Sequence, residues 1–202
     1  SGGQAMNGER GLGMRLWGAW PWLRRGPGFR ERTVGHLAGR VLEIGFGYGD
    51  NIPYYRAASS LWAIEPDPDG FAEAARLARK VSFPVTLARA VAEALPFADA
   101  SFDTVVGTLV FCSVSDPIAA LSEVRRVLRP NGTLHLFEHV RAPQPWLAWV
   151  QDRLSGPWEQ WSGGCHVNRD TVGLLQAAGF GLQRFRLRFA GLVVEIQASP
   201  AG

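Results

Sequence analysis

One short loop, in which every second residue is glycine, constrains this chain more than any other feature of its sequence. The mostly apolar stretch Arg40–Ile44 has the length of a short strand, and the loop Gly45–Gly49 that follows it carries three alternating glycines. Glycine adopts positive φ without strain and lets a ligand lie against bare backbone. Asp50 or Asn51 can cap a helix, which we expect to run to about Arg56 and to offer unpaired N–H groups.

The charges around this loop indicate which kind of nucleotide it binds. In dinucleotide-binding loops of the pattern G-x-G-x-x-G, a pyrophosphate rests on the following helix N-terminus. Here Asp50 replaces the last glycine, and Glu43 precedes the loop, so two carboxylates would repel a pyrophosphate. They favour a ligand with a cationic, amine-bearing end, such as S-adenosylmethionine, which has a sulfonium and an ammonium but no phosphate. A glycine-rich turn without a ligand is the simpler alternative.

A second acidic residue lies where a ribose would be bound. Glu65 ends the next predicted strand, Leu61–Glu65. A carboxylate at this place accepts hydrogen bonds from the ribose hydroxyls of a bound nucleotide. Because many strands end in an exposed glutamate, Glu65 gains its meaning from the loop upstream. Either an adenosyl ligand or NAD would use it.

The rest of the pattern predicts the fold class. Strand and helix candidates alternate over residues 40–139, which is typical of βαβ units and a parallel sheet. After Leu61–Glu65 we predict helix Gly70–Lys80, strands Val85–Ala88 and Phe102–Thr108, helix Asp116–Leu128, strand Thr133–His139, helices Trp146–Leu154 and Asp170–Ala178, and strands Gly181–Phe189 and Leu192–Ala198. The last two strands flank a hairpin signal, so we expect one antiparallel strand on an otherwise parallel α/β sheet.

Composition limits the classes of function. The chain has 202 residues, of which 47% are apolar and 19% charged, and this excludes a disordered chain. The net charge is only +3, and we interpret the arginines that crowd residues 1–40 as a solvated face, so we expect no nucleic-acid partner. Two cysteines cannot form a disulfide framework, and no apolar run is long enough for a membrane span. We expect a soluble, cytoplasmic protein without an integral membrane segment.

Several motifs resemble those of the class I S-adenosylmethionine-dependent methyltransferases (type 11 methyltransferase domain), over residues 35–198. The loop preceded by Glu43 resembles the family's first motif, and Glu65 resembles its ribose-binding acid. Ala92–Phe97 is similar to the loop beside the adenine, and Leu121–Gly132 to the helix and turn before the fifth strand. The resemblance implies a Rossmann-like, doubly wound sheet of seven mostly parallel strands, with S-adenosylmethionine as the cofactor.

The resemblance also implies a set of cofactor-binding residues. They are Glu43, Gly45, Phe46, Gly47, Gly49, Asn51, Glu65, Pro66, Ala92, Glu93, Thr108 and Leu109. The sequence departs from the family at Val91, where many members have an acid that binds the adenine amino group. We expect adenine to stack between apolar walls, with the Ala92 N–H as a donor.

Within the class, Thr108–Val114, Phe137–Val140 and Gly164–His166 are most similar to the methyltransferase-like thiol S-methyltransferases and their small bacterial relatives. This implies a small-molecule acceptor with a thiol as one candidate. Open α/β sheets bind ligands at the carboxyl ends of their strands. His139 ends a predicted strand, and it is our candidate for a catalytic base or orienter because an imidazole exchanges protons near neutral pH. A purely structural hydrogen bond is the alternative role.

The other substrate-side candidates are Trp17, Trp20, Cys112, Cys165 and His166. We expect no metal site, because the two cysteines and two histidines lack the ligand spacing of a zinc motif. We divide the chain into a Trp/Arg-rich N-terminal extension, residues 1–34, and a methyltransferase domain, residues 35–202.

Tryptophan is abundant on both sides of the predicted sheet. We propose that the extension and a second group of tryptophans form an aromatic lid over the acceptor; that group is Trp146, Trp149, Trp158 and Trp161. Ordinary packing and peripheral membrane contact are the alternatives.

Two further functions compete with methyl transfer to a small molecule. One is a non-catalytic S-adenosylmethionine-binding module. The other is an NAD-dependent oxidoreductase, against which Asp50 and the missing glycine argue.

Overall fold

The computed structural model describes residues 27–162 and 164–201. The strands are Ala38–Ile44 (β1), Ala57–Ile64 (β2), Val85–Ala88 (β3), Phe102–Thr108 (β4), Leu128–His139 (β5), Phe180–Arg188 (β6) and Val193–Pro200 (β7). The helices are Pro27–Val34 (α1), Phe71–Ala78 (α2), Pro117–Val127 (α3), Pro145–Ser162 (α4) and Thr171–Ala177 (α5), and 3-10 turns cover Ile52–Tyr54, Pro68–Gly70 and Phe189–Gly191.

The described strands form one seven-stranded sheet in the order β3-β2-β1-β4-β5-β7-β6. Neighbouring strands are parallel from β3 to β5, and β7 runs antiparallel to both β5 and β6. The predicted Rossmann-like α/β fold with one reversed strand in a C-terminal hairpin is therefore confirmed.

Helices cover both faces of the sheet, because successive side chains of a strand point to opposite faces. Leu42 and Ile44 of β1 are buried in one apolar layer with Leu121 of α3 and Leu175 of α5. Val41, which directly precedes Leu42, belongs to the other layer, which includes residues of α1 and α2. The apolar residues of β1 are thus buried on both sides, as expected for a central parallel strand.

The segment after the glycine loop differs from its prediction. Instead of a helix to Arg56, a single 3-10 turn forms at Ile52–Tyr54, and Tyr55 is extended with φ −63° and ψ 123°. β2 begins at Ala57, so the connection has no length for an α-helix. The backbone donors at this site must come from the glycine loop itself.

Two further boundaries differ from the predictions. β5 begins at Leu128 rather than Thr133, since Leu128 pairs with Phe102 before the register shifts. The helix α4 continues past the predicted end at Leu154 to Ser162, with Pro157 inside it. Among the helices of the described residues, this one included, none has the length and apolarity to cross a bilayer.

Candidate active site

A cavity of about 460 Å³ lies at the carboxyl ends of β1, β2, β4 and β5. This volume falls in the range of about 300–1,000 Å³ that is typical of small-molecule sites. The predicted site residues that line it are Glu43, Gly45, Phe46, Gly47, Asn51, Glu65, Pro66, Ala92, Glu93, Thr108, Leu109, Cys112, His139 and Cys165. Gly49 and His166 do not line it, and Trp17 and Trp20 lie outside the described residues.

The three loop glycines serve three different purposes, although all have positive φ. A Cβ on Gly45 would collide with the Val110 side chain, and one on Gly49 would meet Ala74 of α2. Gly49 therefore packs against α2 and, unlike the other two glycines, does not line the cavity. A Cβ on Gly47 would meet no atom within 4 Å. Because Gly47 also lines the cavity, bare backbone faces open space there.

Glu43 is fully buried beneath the loop. Its carboxylate accepts hydrogen bonds from Asn51 Nδ2 at 2.7 Å and from the Tyr55 hydroxyl at 3.1 Å. Burial raises the pKa of Glu43 from its usual 4.5 to about 7, although these two hydrogen bonds and Arg30 act in the opposite direction. Asn51 Nδ2 also donates to Thr108 Oγ1 at 3.1 Å, so this amide ties the end of β1 to the end of β4.

Arg30 of α1 is a site residue that the sequence analysis missed. Its guanidinium lines the cavity, donating to Asn51 Oδ1 at 2.5 Å and pairing with Asp50 at 3.1 Å. The charge of Asp50 is therefore offset, and of the two carboxylates predicted to repel a pyrophosphate, Asp50 contributes less than expected. The signal was the cluster of arginines in residues 1–40, which sequence reasoning assigned to a solvated face.

Glu65 receives two backbone hydrogen bonds at the end of β2. Its Oε2 accepts from the Gly47 N–H at 3.0 Å and its Oε1 from the Asp67 N–H at 3.2 Å. Burial raises the pKa of Glu65, and these two N–H donors lower it in part. A carboxylate has about four acceptor positions, so each oxygen can accept one further hydrogen bond from a ligand hydroxyl.

The loop before β4 supplies another wall of the cavity. Val91 and Ala92 line it, as the adenine prediction requires, and Val91 is 45% exposed. Glu93 accepts N–H bonds from Ser115 at 3.2 Å and Asp116 at 3.3 Å. It therefore holds the connection between β4 and α3 in addition to lining the cavity.

Glu138 organises the loop after β4, and the sequence analysis did not assign it this role. It is completely buried at the end of β5, and its carboxylate accepts the N–H groups of Val110 and Phe111 at 3.0 Å and of Cys112 at 3.2 Å. Burial raises the pKa of Glu138, while the three donors lower it. The loop leaves β4 through Leu109, which adopts a strained φ of +58°.

Two thiols and an imidazole meet at the β5 end of the cavity. Cys165 Sγ lies 3.3 Å from Cys112 Sγ and 3.5 Å from His139 Nδ1. The ligand atoms of these three residues lie within 4.8 Å of one another. The spacing argument against a metal site is thus overturned for these residues, because the loop after β4, the end of β5 and the segment after α4 bring them together.

His166 stands apart from this group, against the prediction that it contacts the acceptor. Its Nδ1 lies 2.9 Å from the Gly164 carbonyl, and its Nε2 is 3.6 Å from a Glu159 carboxylate oxygen. The adjacent Cys165 points into the cavity instead, as expected when neighbouring side chains diverge.

The surroundings of the two thiols shift their pKa values in opposite directions. Hydrogen bonds from Cys112, His139 and Trp158 lower the pKa of Cys165 to about 5, although burial opposes them. The same pairing with Cys165, together with burial and Glu138, raises the pKa of Cys112. The two shifts are opposite in direction, so Cys165 is the more acidic of the two thiols.

The aromatic lid is not borne out for most of α4. Trp146, Trp149 and Trp161 are 67%, 58% and 48% exposed and do not line the cavity. They lie on the outer side of the helix, because its buried residues Ala148 and Gln151 face inward. Trp158 alone of this group contacts the site, through Cys165.

The residues present fit S-adenosylmethionine. Gly47 leaves open a position that a Cβ would fill, Glu65 keeps acceptor capacity for a ribose, and Arg30 offers a cation to an amino-acid carboxylate. Pyrophosphate, by contrast, would lie against Glu43 and Glu65 without a helix N-terminus to receive it.

Comparison with known proteins agrees with this assignment. A family profile described as "Methyltransferase domain" matches residues 42–136. The thiol S-methyltransferase TMT1B of Rattus norvegicus is 33% identical over 144 residues, 69% of this chain and 59% of that protein. A phosphatidylethanolamine N-methyltransferase of Cereibacter sphaeroides is 32% identical over 131 residues, 62% of this chain and 64% of that protein. The chain spans about 60% of the length of these curated relatives.

Solved structures of methyltransferases share this fold. A structure described as a possible histamine N-methyltransferase from Thermotoga maritima has a TM-score of 0.69 and 20% identity, covering 94% of this chain and 96% of that one. At this identity the likeness concerns the fold. The matched domain and the curated relatives show that the chain belongs to the S-adenosylmethionine-dependent methyltransferases, and its glycine loop and fold are those of class I.

Proposed function

We propose that this chain transfers the methyl group of S-adenosylmethionine to the thiol of a small molecule. One observation carries the choice of acceptor: two buried thiols and a half-buried imidazole form the β5 end of a cavity whose β2 end fits a ribose. The name of the relative TMT1B supports the same choice.

The chain's own residues would fix the cofactor along the edge of the sheet. Glu65 accepts hydrogen bonds from the ribose hydroxyls. The adenine lies between apolar walls and accepts a hydrogen bond from the Ala92 N–H. Gly47 admits the ligand against its backbone. Arg30, oriented by Asn51, pairs with the carboxylate of the methionyl part.

Strand order separates the cofactor and acceptor ends of the cavity. β2, β1, β4 and β5 are neighbours in this sequence, so Glu65 and His139 are three strand spacings apart. At about 4.8 Å per spacing this is about 14 Å, enough to hold an adenosyl group with the acceptor beyond it. When bound, S-adenosylmethionine supplies a methyl group on a positively charged sulfur.

Methyl transfer requires an acceptor atom about 3–3.5 Å from the methyl carbon and opposite the leaving sulfur. The residues that would position the acceptor are Cys112, His139 and Cys165, which line the cavity beyond β4. A thiol acceptor reacts as its thiolate. His139 therefore acts on the acceptor's proton or on the thiolate itself, and it stays our catalytic candidate.

Turnover with a panel of acceptors tests this proposal. We expect methyl-labelled cofactor to label small thiols, and no labelling of matched alcohols and amines under the same conditions. His139→Ala should reduce kcat by about 100-fold or more, the usual contribution of a positioned proton-transfer group. His36→Asn, an exposed histidine before β1, is the matched control and should retain full turnover.

Labelling of an amine or a phospholipid headgroup in place of thiols would contradict the thiol proposal. Tight binding of S-adenosylhomocysteine without turnover of any acceptor would instead favour the non-catalytic binding module.

A further inference from the structure

We propose that Cys112, His139 and Cys165 form a three-ligand site for Zn²⁺, with the fourth coordination position open to the cavity. We further infer that this position takes the acceptor as its thiolate, a part of the inference that rests on the proposed function. The zinc site itself stands on the geometry of the three side chains.

The distances between the ligand atoms are close to those of a tetrahedral zinc site. Zn²⁺ binds sulfur at about 2.3 Å and imidazole nitrogen at about 2.0–2.1 Å, which places S and N about 3.5 Å apart and two S atoms about 3.8 Å apart. Cys165 Sγ is 3.5 Å from His139 Nδ1 and 3.3 Å from Cys112 Sγ. To admit the ion, the two thiols need to separate by about 0.5 Å, while Cys112 Sγ and His139 Nδ1, which lie within 4.8 Å of each other, close to about 3.5 Å.

The backbone around the ligands is fixed before any ion binds. The Glu138 carboxylate accepts a hydrogen bond from the Cys112 N–H at 3.2 Å. Arg169 Nη1 donates to the carbonyls of Phe111 at 2.6 Å and Val114 at 2.8 Å. The His166 N–H donates to the Cys112 carbonyl at 2.8 Å, which joins the two cysteine-bearing segments. Such supporting contacts orient metal ligands and strengthen binding.

The ligand set selects the kind of cation. Two thiols with one imidazole suit a soft or borderline metal ion and not Mg²⁺ or Ca²⁺, which require oxygen ligands. Three protein ligands with one open position are typical of catalytic zinc, whereas structural zinc has four. Cys112 and Cys165 are 1% and 5% exposed and all three residues line the cavity, so an ion would be reached only from the acceptor side.

The reaction balances without any further reagent. The acceptor thiol binds at the fourth position and releases its proton to solvent, because a coordinated thiol is deprotonated. With its Nδ1 on the ion, His139 orients the thiolate and does not act as the base. A sulfur electron pair then forms the new S–CH₃ bond while the bond between the methyl carbon and the sulfonium breaks. The sulfonium becomes a neutral thioether, S-adenosylhomocysteine leaves, and the methylated acceptor, now a neutral thioether and a weaker ligand than a thiolate, leaves the ion.

Metal content and cobalt spectroscopy test the site itself. The full chain, kept reduced with a phosphine so that no Cys112–Cys165 disulfide forms, should bind one Zn²⁺ with a Kd below about 1 μM. Co²⁺ in its place should give tetrahedral d–d bands and thiolate-to-cobalt charge-transfer bands of two thiolates. Less than half an equivalent of zinc, or a cobalt spectrum without thiolate bands, would overturn the inference.

Substitutions identify the ligands. Cys112→Ser, Cys165→Ser and His139→Ala should each weaken zinc binding by at least about tenfold. The exposed His36→Asn is the control and should bind zinc like the parent chain. Unchanged binding in all three ligand variants would place the metal elsewhere and refute the site. The wild-type cobalt spectrum keeps the test decisive should a variant fail to fold.

A final titration separates this inference from the proposed function. Adding a small thiol to the cobalt-loaded chain should raise the charge-transfer intensity by about half, as two thiolates become three, whereas the matched alcohol should leave it unchanged. Zinc binding without this response would overturn the role of the fourth position. Full thiol methylation by the zinc-free, chelator-treated chain would overturn the role of the ion in holding the acceptor and leave the proposed function intact. Zinc binding without methylation of any thiol would leave the zinc site intact and overturn the proposed function.

Discussion

Substituting Glu43 by glutamine should abolish a specific pH dependence of stability. Burial raises the pKa of Glu43 from 4.5 to about 7. Between these values the folded chain holds a proton that the unfolded chain has released, so the free energy of unfolding falls as the pH rises. The contribution is fully present below pH 4.5 and lost by about pH 7. At about 1.4 kcal/mol per pH unit it amounts to about 3 kcal/mol.

Urea unfolding at constant ionic strength, in steps from pH 4.5 to 7.5, measures this effect. Glu43→Gln keeps an oxygen acceptor and an amide of nearly the same shape beside Asn51 and Tyr55. Relative to the parent chain it should gain about 3 kcal/mol across the window, because it has no proton to lose. Glu31→Gln, an exposed acid on α1, is the control.

The difference between variant and parent is the quantity to compare, since other buried groups titrate in the same range. A constant difference between Glu43→Gln and the parent chain at every pH would refute the reasoning. It would mean that Glu43 keeps its charge in the folded protein despite complete burial.

Three further predictions follow from single residues. Burial lowers the pKa of His135 to about 4, so protonation of this residue makes the parent chain lose stability as the pH falls from 6.5. His135→Asn should lose less stability than the parent chain over this range in urea unfolding, and an equal loss would contradict this. Arg30→Met should weaken S-adenosylhomocysteine binding by about tenfold or more in calorimetry, through loss of a charged hydrogen bond; adenosine, which lacks the carboxylate, should bind both proteins equally. Gly47→Ala should cost about 1 kcal/mol of stability in urea and impair S-adenosylhomocysteine binding; equal binding by this variant and the parent chain would contradict the open backbone at Gly47.

The sequence predicts the sheet and the cofactor end of the cavity well. Strands such as Phe102–Thr108 are apolar on both faces, and the glycines after β1 signal a ligand loop directly, because the signal and the structure are local. The helix expected after the loop failed because β2 begins early, at Ala57, and because the Asn51 side chain bonds Glu43 and Thr108 and caps no helix. Local signals of this kind compete, and their balance depends on where the next strand must begin.

The acceptor end depends on contacts between distant segments. Cys112 and Cys165 are separated by 53 positions, and spacing along the chain says nothing of their 3.3 Å approach. Glu138 looks like any strand-end acid until the fold brings the loop after β4 over its carboxylate. Arg30 reaches the cavity from a helix outside the matched domain, residues 42–136, so no motif indicates it.

Calorimetric titration with S-adenosylhomocysteine tests the cofactor site most directly. The account predicts one site per chain, no binding of NAD, and a loss of about tenfold to a hundredfold in affinity for Glu65→Gln, since each hydrogen bond to a charged group is worth about 1.5–3 kcal/mol. Equal affinity of Glu65→Gln and the parent chain, or binding of NAD in place of S-adenosylhomocysteine, would contradict it.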